Sequence, residues 1–473
     1  MNIMKNEYIV IKMKRIIESI MQTSFIHKLF MLFAVIMFLG MSAGTYMYND
    51  IYSALFIFFF SILTLWLVVK YRKIEIKISN QTYRYSMMAI FIFFLLIQGF
   101  IVYNIPLGYY SDFIVVRDQA IHFSRDYHIQ PQFDTYFHFY PYQINIVIVI
   151  DWLYRILGDY SRVELFSAAI VNMSAILAGM TVFNVSRNKL YALFTAIFCN
   201  IFSVFCLKTY MPYTNNIGMI FPILMLYVYS ADIKKLKKIL LISIIVVVGS
   251  RIKITTIIPF IGLVLIEAYY ILKTHDYKTL ALSVGTIVVV YGGFITLHNA
   301  LLNKMEYKDD PVLKHGFVYY FAMGQNSETA GQYSKEIGTL GDSIYQIRSM
   351  NGDEYFRDKA ISYVKERSII GHIKFFVGKI AYCWGEVRTD HLKFFRYDNI
   401  LIAIQHYTWY FALLLMCIGV FLINHKKYMV SFLGIMGVVA YLYLSEAGAR
   451  YAIMYAPIVF AMMGWTMSKI KKI

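Results

Sequence analysis

Residues 104–143 read NIPLGYYSDFIVVRDQAIHFSRDYHIQPQFDTYFHFYPYQ and lie between long apolar segments. This stretch contains the densest set of ionisable and aromatic side chains in the chain. Charged side chains are expensive inside a bilayer, so the stretch is predicted to lie at a membrane face, between helices that cross the membrane. Its ionisable residues are Asp112, Arg117, Asp118, His122, Arg125, Asp126, His128, Asp134 and His138.

The composition of the whole chain is that of a polytopic membrane protein. Hydrophobic residues make up 59% of the 473 residues and charged residues only 15%, which is too apolar for a soluble protein of this length. Three of the four cysteines lie inside apolar runs, which argues against a disulfide framework and against a zinc site. The histidines of the quoted stretch have no recognised metal spacing either.

Twelve segments are predicted to span the membrane, because each is apolar over about the length that a transmembrane helix needs. They are residues 27–46, 51–69, 86–103, 163–184, 189–208, 215–232, 236–250, 254–272, 279–298, 402–423, 428–444 and 450–468.

The distribution of basic residues along the chain agrees with these twelve spans. Lys and Arg number 45 against 28 Asp and Glu, a net charge of +17. The basic residues cluster in short loops between spans, so the charge reflects membrane topology and not a nucleic-acid partner. With twelve spans, every basic loop and both termini fall on the cytoplasmic side. The outer side then receives residues 104–162, 208–216, 250–253, 301–399 and 445–450.

Two outer segments, 144–162 and 358–384, are predicted to lie in the membrane interface. Both mix apolar residues with charged ones, which we expect to face headgroups or a polar cavity. Residues 1–22 are expected to form a basic helix on the inner membrane surface. The predicted organisation is a membrane module at 1–298 that includes the outer loop 104–162, an outer cap at 299–400, and C-terminal transmembrane helices at 401–473.

Asp112 and Asp118 are the first candidates for chemistry. A carboxylate that is held near the membrane surface, partly shielded from water, can take the proton of an attacking hydroxyl group. The alternative is that both are ordinary loop carboxylates, solvated or paired with Arg117 and Arg125. Their spacing leaves both interpretations open.

Short motifs in this stretch resemble the first outer loop of the GT-C glycosyltransferases. The motifs are Ser111-Asp112-Phe113, Ala120, Tyr136-Phe137 and Tyr140-Pro141-Tyr142-Gln143, and they are most similar to an integral-membrane branch from Gram-positive bacteria. GT-C enzymes are multi-span proteins that move a sugar from a polyprenyl-phosphate carrier to an acceptor on the outer membrane face. The resemblance implies a catalytic base at Asp112, a second candidate at Asp118, and substrate contacts at Tyr140 and Gln143.

This chain departs from the branch at one position. The branch often has Tyr-Thr-Asp where this chain has Tyr213-Thr214-Asn215. Asparagine keeps hydrogen bonding but lacks the charge, so no catalytic role is expected for Asn215.

Arg251 and Lys253 interrupt a continuous apolar stretch, GSRIKITTIIPF. Such charges are expensive unless they face a polar cavity or the surface. Both side chains suit the phosphate of a lipid-linked substrate, Arg as a planar fork and Lys as a compact charge. The alternative is that they mark an outer turn and reach toward headgroups. The family resemblance supports Lys253 as a ligand.

Glu446, Arg450 and Tyr451 lie in LSEAGARYAIMYAP, at the outer end of the last predicted span. Glu446 and Arg450 are four residues apart, so on a helix they would share one face and could pair. GT-C enzymes often have an acidic residue, then Arg-Tyr, then Pro in their last spans, and this segment is similar, with Pro457 following. The resemblance implies substrate binding by all three residues, whereas the plain alternative is an ion pair that closes a helix end.

These observations predict an all-α, GT-C-like membrane glycosyltransferase in the cell membrane, with its active site facing outside. Its partners would be a lipid-linked sugar donor, a polymer, glycolipid or protein acceptor of the cell envelope, and membrane lipids. No phosphate-binding glycine loop or nucleotide fold is present, so a nucleotide-sugar donor is not expected. The sequence specifies no cofactor and leaves a divalent cation open. A transporter or flippase of a lipid-linked saccharide and a polysaccharide polymerase or ligase remain alternatives.

Overall fold

The structure is a computed structural model in which the described residues are helical, without a β-strand. The predicted basic helix at 1–22 and residue His128 lie outside the described part of the chain. The described residues are 25–49, 51–71, 76–105, 107–109, 111–126, 129, 131–206, 209–275, 277–304, 316–346, 352–385 and 398–470.

Helices α1 to α21 follow one another through these ranges. In chain order they are Phe25–Tyr48, Ile51–Lys70, Asn80–Asn104, Asp112–Asp126, Pro131–Phe139, Ile144–Leu157, Tyr160–Ser186, Lys189–Val204, Thr214–Gly218, Ile220–Ser230, Lys235–Ile252, Ile257–Thr274, Tyr277–Lys304, Phe317–Gln325, Lys335–Gln346, Gly352–Lys365, Ile369–Gly385, Asp398–Leu422, Lys426–Leu444, Ala449–Ile453 and Ala456–Ile470. Short 3-10 turns at Pro141–Gln143 and Ile254–Thr256 precede α6 and α12.

Eight helices in the described ranges are long and apolar enough to cross a membrane. The prediction of an all-α polytopic membrane protein is therefore confirmed. The eight segments are His27–Met47, Ile51–Lys70, Asn80–Asn104, Tyr160–Ser186, Ile254–Leu272, Ala281–Ala300, Ile400–Leu422 and Lys426–Leu444.

The other four predicted spans are helical, but each is shorter, more charged or interrupted. Helix α8 has 16 residues, and α11 has basic residues at both ends. The segment at 215–232 is divided into α9 and α10, and the segment at 450–468 is divided into α20 and α21. These interruptions matter for the site, because irregular backbone at a helix break needs polar partners and tends to line a cavity.

The last helix, α21, is the centre of the bundle. Nearly all of its residues are buried, including Phe460 and Trp465, and its apolar side chains pack against α7, α8 and α18. A helix that is hydrophobic on every side is expected to be surrounded by others. Because α20 leads directly into α21, the residues of α20 are held by the most buried element of the protein.

The two segments predicted to lie in the interface are packed helices, and some of their charges are buried. Asp151 on α6 is fully buried and accepts a hydrogen bond from Arg155 Nε at 2.9 Å. Helix α17 packs closely on α1, where a Cβ at Gly44 would overlap the backbone of Ala381. Lys379 on α17 is also buried. The expectation that charged residues of these segments face headgroups or the cavity is therefore wrong for Asp151 and Lys379, because each finds hydrogen-bond partners inside the protein: Asp151 a donor and Lys379 acceptors.

The described part of the predicted cap, α14 to α17, reaches the outer loop at the end of α5. Its small apolar core joins Tyr319, Phe356 and Ile337 to Phe139 at the end of α5. Tyr319 meets Phe356 edge to face, with ring centroids 5.3 Å apart. This core fixes α14 beside the turn at residues 140–143, which brings the tyrosines of α14 next to the candidate site.

Candidate functional site

A cavity of about 390 Å³ opens where four interruptions of the helical structure meet. The interruptions are the start of α4, the turn between α5 and α6, the end of α11, and the segment between α19 and α20. Such a volume is within the range of small-molecule pockets. The lining residues are Ser111, Asp112, Tyr140, Tyr142, Gln143, Tyr213, Lys253, Tyr319, Tyr320, Gln332, Tyr333, Tyr382, Glu446, Ala447, Gly448, Arg450 and Tyr451.

Asp112 is the first residue of α4 and is held by a relay of hydrogen bonds. The Tyr213 hydroxyl donates to Asp112 Oδ2 at 3.3 Å and accepts from Gln143 Nε2 at 2.5 Å. The preceding Ser111 has a φ of 49° and its hydroxyl donates to Asp112 Oδ1 at 3.2 Å. Burial raises the pKa of Tyr213 well above its usual value, with the Asp112 charge adding to the effect, so this tyrosine stays protonated and keeps donating.

Arg450 provides a cation in the same cavity. Its Nη2 donates to the Tyr451 hydroxyl at 2.9 Å and lies 3.9 Å from Glu446 Oε1. Glu446 and Arg450 thus pair, but they do not share a helix face, since α20 begins at Ala449 and Glu446 precedes it. The Glu446 carboxylate is turned toward Arg450 by the loop, and burial raises its pKa.

Lys253 brings a second cation into the same cavity. It directly follows the last residue of α11 and has extended backbone, φ −147°. Its Nζ lies 5.2 Å from the centre of the Tyr451 ring. Burial lowers the pKa of Lys253 to about 8; the nearby Arg450 charge acts in the same direction, and Glu446 and Asp112 oppose it. The four ionisable groups of the cavity thus interact with one another, two acids with two bases.

Tyrosines form most of the remaining wall. Tyr319 and Tyr320 come from α14, and the Tyr320 hydroxyl lies 3.2 Å from that of Tyr142. Sequence reasoning did not select Tyr213, Tyr319, Tyr320 or Tyr382. With 41 tyrosines in the chain, a tyrosine near the membrane surface carries little signal by itself.

A buried lysine connects the cap to the segment that contains Glu446. Lys379 Nζ donates to the carbonyl oxygens of Gly324, Tyr443 and Ser445 at 2.8, 2.9 and 2.7 Å. The Ala447 amide donates to the Gly331 carbonyl at 2.7 Å. Sequence reasoning missed Lys379 as well, because a lysine on a mixed apolar and basic helix was expected to face headgroups or the cavity. We call this set of contacts the Lys379 clamp.

Seven of the nine residues that the sequence selected line the cavity: Asp112, Tyr140, Gln143, Lys253, Glu446, Arg450 and Tyr451. Asp118 and Arg251 do not. The Asp118 carboxylate accepts a hydrogen bond from Arg117 Nε at 2.7 Å, and Arg117 stacks over the Tyr109 ring. Arg251 lies at the end of α11, where its carbonyl oxygen accepts from Asn145 Nδ2 at 3.0 Å. Asn215 is buried outside the cavity lining.

The acidic side chains of the cavity bear on whether this site could hold a divalent cation. Two carboxylates, from Asp112 and Glu446, line the cavity. Among the described residues, no group of three or more His, Cys, Asp or Glu side chains could hold a metal ion.

Comparisons with known proteins agree with the membrane architecture. A family model described as "Conserved hypothetical integral membrane protein" matches residues 9–383. No curated protein matches the sequence. Among solved structures, ArnT from Cupriavidus metallidurans bound to undecaprenyl phosphate is similar over 81% of this chain and 77% of that chain, with 13% identity and a TM-score of 0.32. A TM-score of this size does not establish a shared fold.

Proposed function

The chain belongs to the family of conserved hypothetical integral membrane proteins, and we propose that it acts as a membrane glycosyltransferase. It would take a sugar from a polyprenyl-phosphate donor and transfer it to an acceptor of the cell envelope. One observation carries this proposal: the Asp112 carboxylate and the cations of Lys253 and Arg450 line a single cavity. A base for the acceptor and ligands for a departing phosphate are the groups that this reaction needs.

Asp112 is proposed as the general base. The acceptor hydroxyl passes its proton to the Asp112 carboxylate as its oxygen attacks C1 of the sugar, and the bond between C1 and the phosphate oxygen breaks. Attack and departure on opposite faces invert C1. Tyr213 and Gln143 position the base, because their hydrogen bonds fix the orientation of the carboxylate.

Arg450 and Lys253 are proposed to bind the phosphate of the donor and of the released polyprenyl phosphate. Both side chains are only partly exposed, and partial shielding from water strengthens the interaction of their charges with an anion. Glu446 lies beside Arg450 and holds the guanidinium toward the cavity. The tyrosines of the cavity wall offer aromatic faces and hydroxyl groups for a sugar ring.

The location of the cavity favours an enzyme over a carrier. Carriers generally bind substrate near the middle of the membrane, between discontinuous helices. Here the charged residues of the cavity belong to the start of α4, the residue after α11, and residues 446–450 at the start of α20. We propose that this end of the bundle faces the outside of the cell and that both termini are cytoplasmic, as the basic loops predict.

The test is a transfer assay with the purified full-length protein and a panel of polyprenyl-phosphate-linked hexoses and pentoses. The measured product is free polyprenyl phosphate, with and without membrane extract as the source of acceptor. We expect Asp112→Asn to lower the rate by about 100-fold or more, the usual contribution of a general base. Asp118→Asn is the matched control, since it makes the same change on the same helix outside the cavity and should keep the wild-type rate.

Two results would overturn the proposal, provided that both variants unfold at the wild-type temperature. One is an Asp112→Asn variant with the wild-type rate. The other is translocation of the lipid-linked sugar without bond cleavage, which would identify a carrier.

A further inference from the structure

A second cavity, of about 280 Å³, lies among α10, α11, α12 and α13. Most of its wall is apolar, with Ile242, Phe260, Leu263 and Ile287 as examples. Helix α13 packs loosely, since none of the residues in its apolar segment, Ala281–Ala300, is buried. A gap of this kind between membrane helices has the shape and polarity to take an acyl chain.

The polar residues of this cavity lie mainly near the turn that joins α10 to α11. Lys238 Nζ donates to the Tyr229 carbonyl at 3.1 Å, and Lys235 is exposed one turn before it. Glu267, the one acid among the described residues of the lining, accepts from the Tyr229 hydroxyl at 2.6 Å and lies 2.9 Å from Lys426 Nζ. Its charge is thus already compensated by Lys426, and two lysines of α11, Lys235 and Lys238, also line the cavity.

Neighbouring turns add to this positive charge. Lys427 interacts electrostatically with Lys238 and with Arg187, from the turn between α7 and α8. Asp232 is the opposing acid. Three turns of the bundle, namely α7 to α8, α10 to α11 and α18 to α19, therefore bring cations together at one end of the protein. A basic pocket between membrane helices is the usual binding site of an anionic lipid headgroup.

We propose that this cavity binds one anionic phospholipid of the membrane. Its phosphate would lie between Lys235 and Lys238 and one acyl chain would lie against the apolar wall. The site is separate from the cavity that contains Lys253. Lys238 and Lys253 belong to opposite ends of α11, and 15 residues of helix place them roughly 22 Å apart. The proposal does not depend on the glycosyltransferase activity.

The experiment measures lipid retained by the purified full-length protein after delipidation and addition of phosphatidylglycerol or phosphatidylcholine, counted by native mass spectrometry. We expect one retained phosphatidylglycerol and weaker binding of phosphatidylcholine. The double variant Lys235→Gln/Lys238→Gln should lose affinity for phosphatidylglycerol by about tenfold or more. Val264→Trp should lower retention as well, because the indole would occupy the apolar part of the cavity with the charges intact.

The matched control is Lys234→Gln/Lys237→Gln, which removes the same charge from the same turn at residues outside the cavity lining. This variant should retain the lipid. Equal losses in both double variants would mean diffuse attraction of lipid to a basic surface and would overturn the proposal. Equal retention of phosphatidylcholine, or no effect of Val264→Trp, would overturn it too.

Discussion

Replacing Lys379 by methionine removes the three side-chain hydrogen bonds of the Lys379 clamp and puts an unbranched apolar side chain in their place. The lysine is only 2% exposed, and its ammonium group donates to three carbonyl oxygens that end α14 and α19. One acceptor, Ser445, directly precedes Glu446. The approach is so close that a Cβ at Gly324 would overlap the Ser445 carbonyl. Methionine fills similar space but leaves three buried carbonyl groups without this donor.

The size of the effect follows from these contacts. A hydrogen bond to a charged group contributes about 1.5–3 kcal/mol. Three such bonds are partly offset, because the variant no longer buries an ammonium group, whose desolvation is costly. We therefore expect Lys379→Met to lower the free energy of opening this region by about 3 kcal/mol. At 1.4 kcal/mol per factor of ten, the open state becomes about 100-fold more populated.

Cysteine labelling can measure that population. All four cysteines are buried, and Cys383 lies one turn after Lys379 on α17. In a variant that keeps only Cys383, with Cys199, Cys206 and Cys417 changed to Ala, labelling by a thiol reagent requires the helix to open. When reclosing is faster than labelling, the labelling rate follows the open population and should rise about 100-fold in Lys379→Met.

Lys374→Met is the control for this measurement. It makes the same chemical change on α17 at an exposed position, so the labelling rate of Cys383 should stay near that of the parent. An unchanged labelling rate in Lys379→Met would show that the three hydrogen bonds of Lys379 do not keep this region closed. So would an equal increase in both variants, because the effect would then come from a general loosening of α17.

The remaining predictions concern the first cavity. The ratio kcat/KM for a polyprenyl-phosphate sugar should fall as pH rises through about 8. The reason is that burial lowers the pKa of Lys253 to about 8, and the neutral amine no longer attracts phosphate. In Lys253→Arg the side chain stays charged, so a pH–rate profile should lack this alkaline limb. A limb that is identical in both proteins would assign it to another group. Tyr213→Phe should lower kcat by about tenfold with little change in KM, since it removes a hydrogen bond to Asp112 but no proposed phosphate ligand. Steady-state kinetics checks this, and a change confined to KM would place Tyr213 in substrate binding instead.

The long apolar helices were predictable from sequence, because a span needs only length and hydropathy. The sequence did not predict which of Asp112 and Asp118 faces the cavity. Both are on α4, and six residues of helix rotate their side chains about 120° apart, so only one can face the cavity. The sequence did not distinguish Arg251 from Lys253 either, because Arg251 lies inside α11 and Lys253 follows its last residue. The exact residue at which a helix ends is among the least certain features of a sequence-based prediction.

Tertiary contacts explain the residues that were missed. Tyr213 meets Asp112 across 101 residues of chain, and Lys379 meets Ser445 across 66. No local pattern encodes either pair. Two physical constraints therefore act on the site. Hydropathy assigns each segment to the helix bundle or to the loops. The need to satisfy buried hydrogen-bonding groups decides which residues become partners inside a buried loop.

The need to satisfy buried hydrogen-bonding groups also bears on the predicted division between residues 299–400 and residues 401–473. That division stays a prediction. A helix that ends in a buried place leaves carbonyl groups that need donors. At the end of α19 the donors for Tyr443 come from the predicted cap, namely Lys379 Nζ and Gln325 Nε2 at 2.8 Å. In return, the Ala447 amide of the C-terminal region supplies the Gly331 carbonyl. At these positions each region supplies donors to backbone carbonyl groups of the other. The cap and the last helices must therefore order together, and the position of Glu446 and Arg450 in the cavity depends on both.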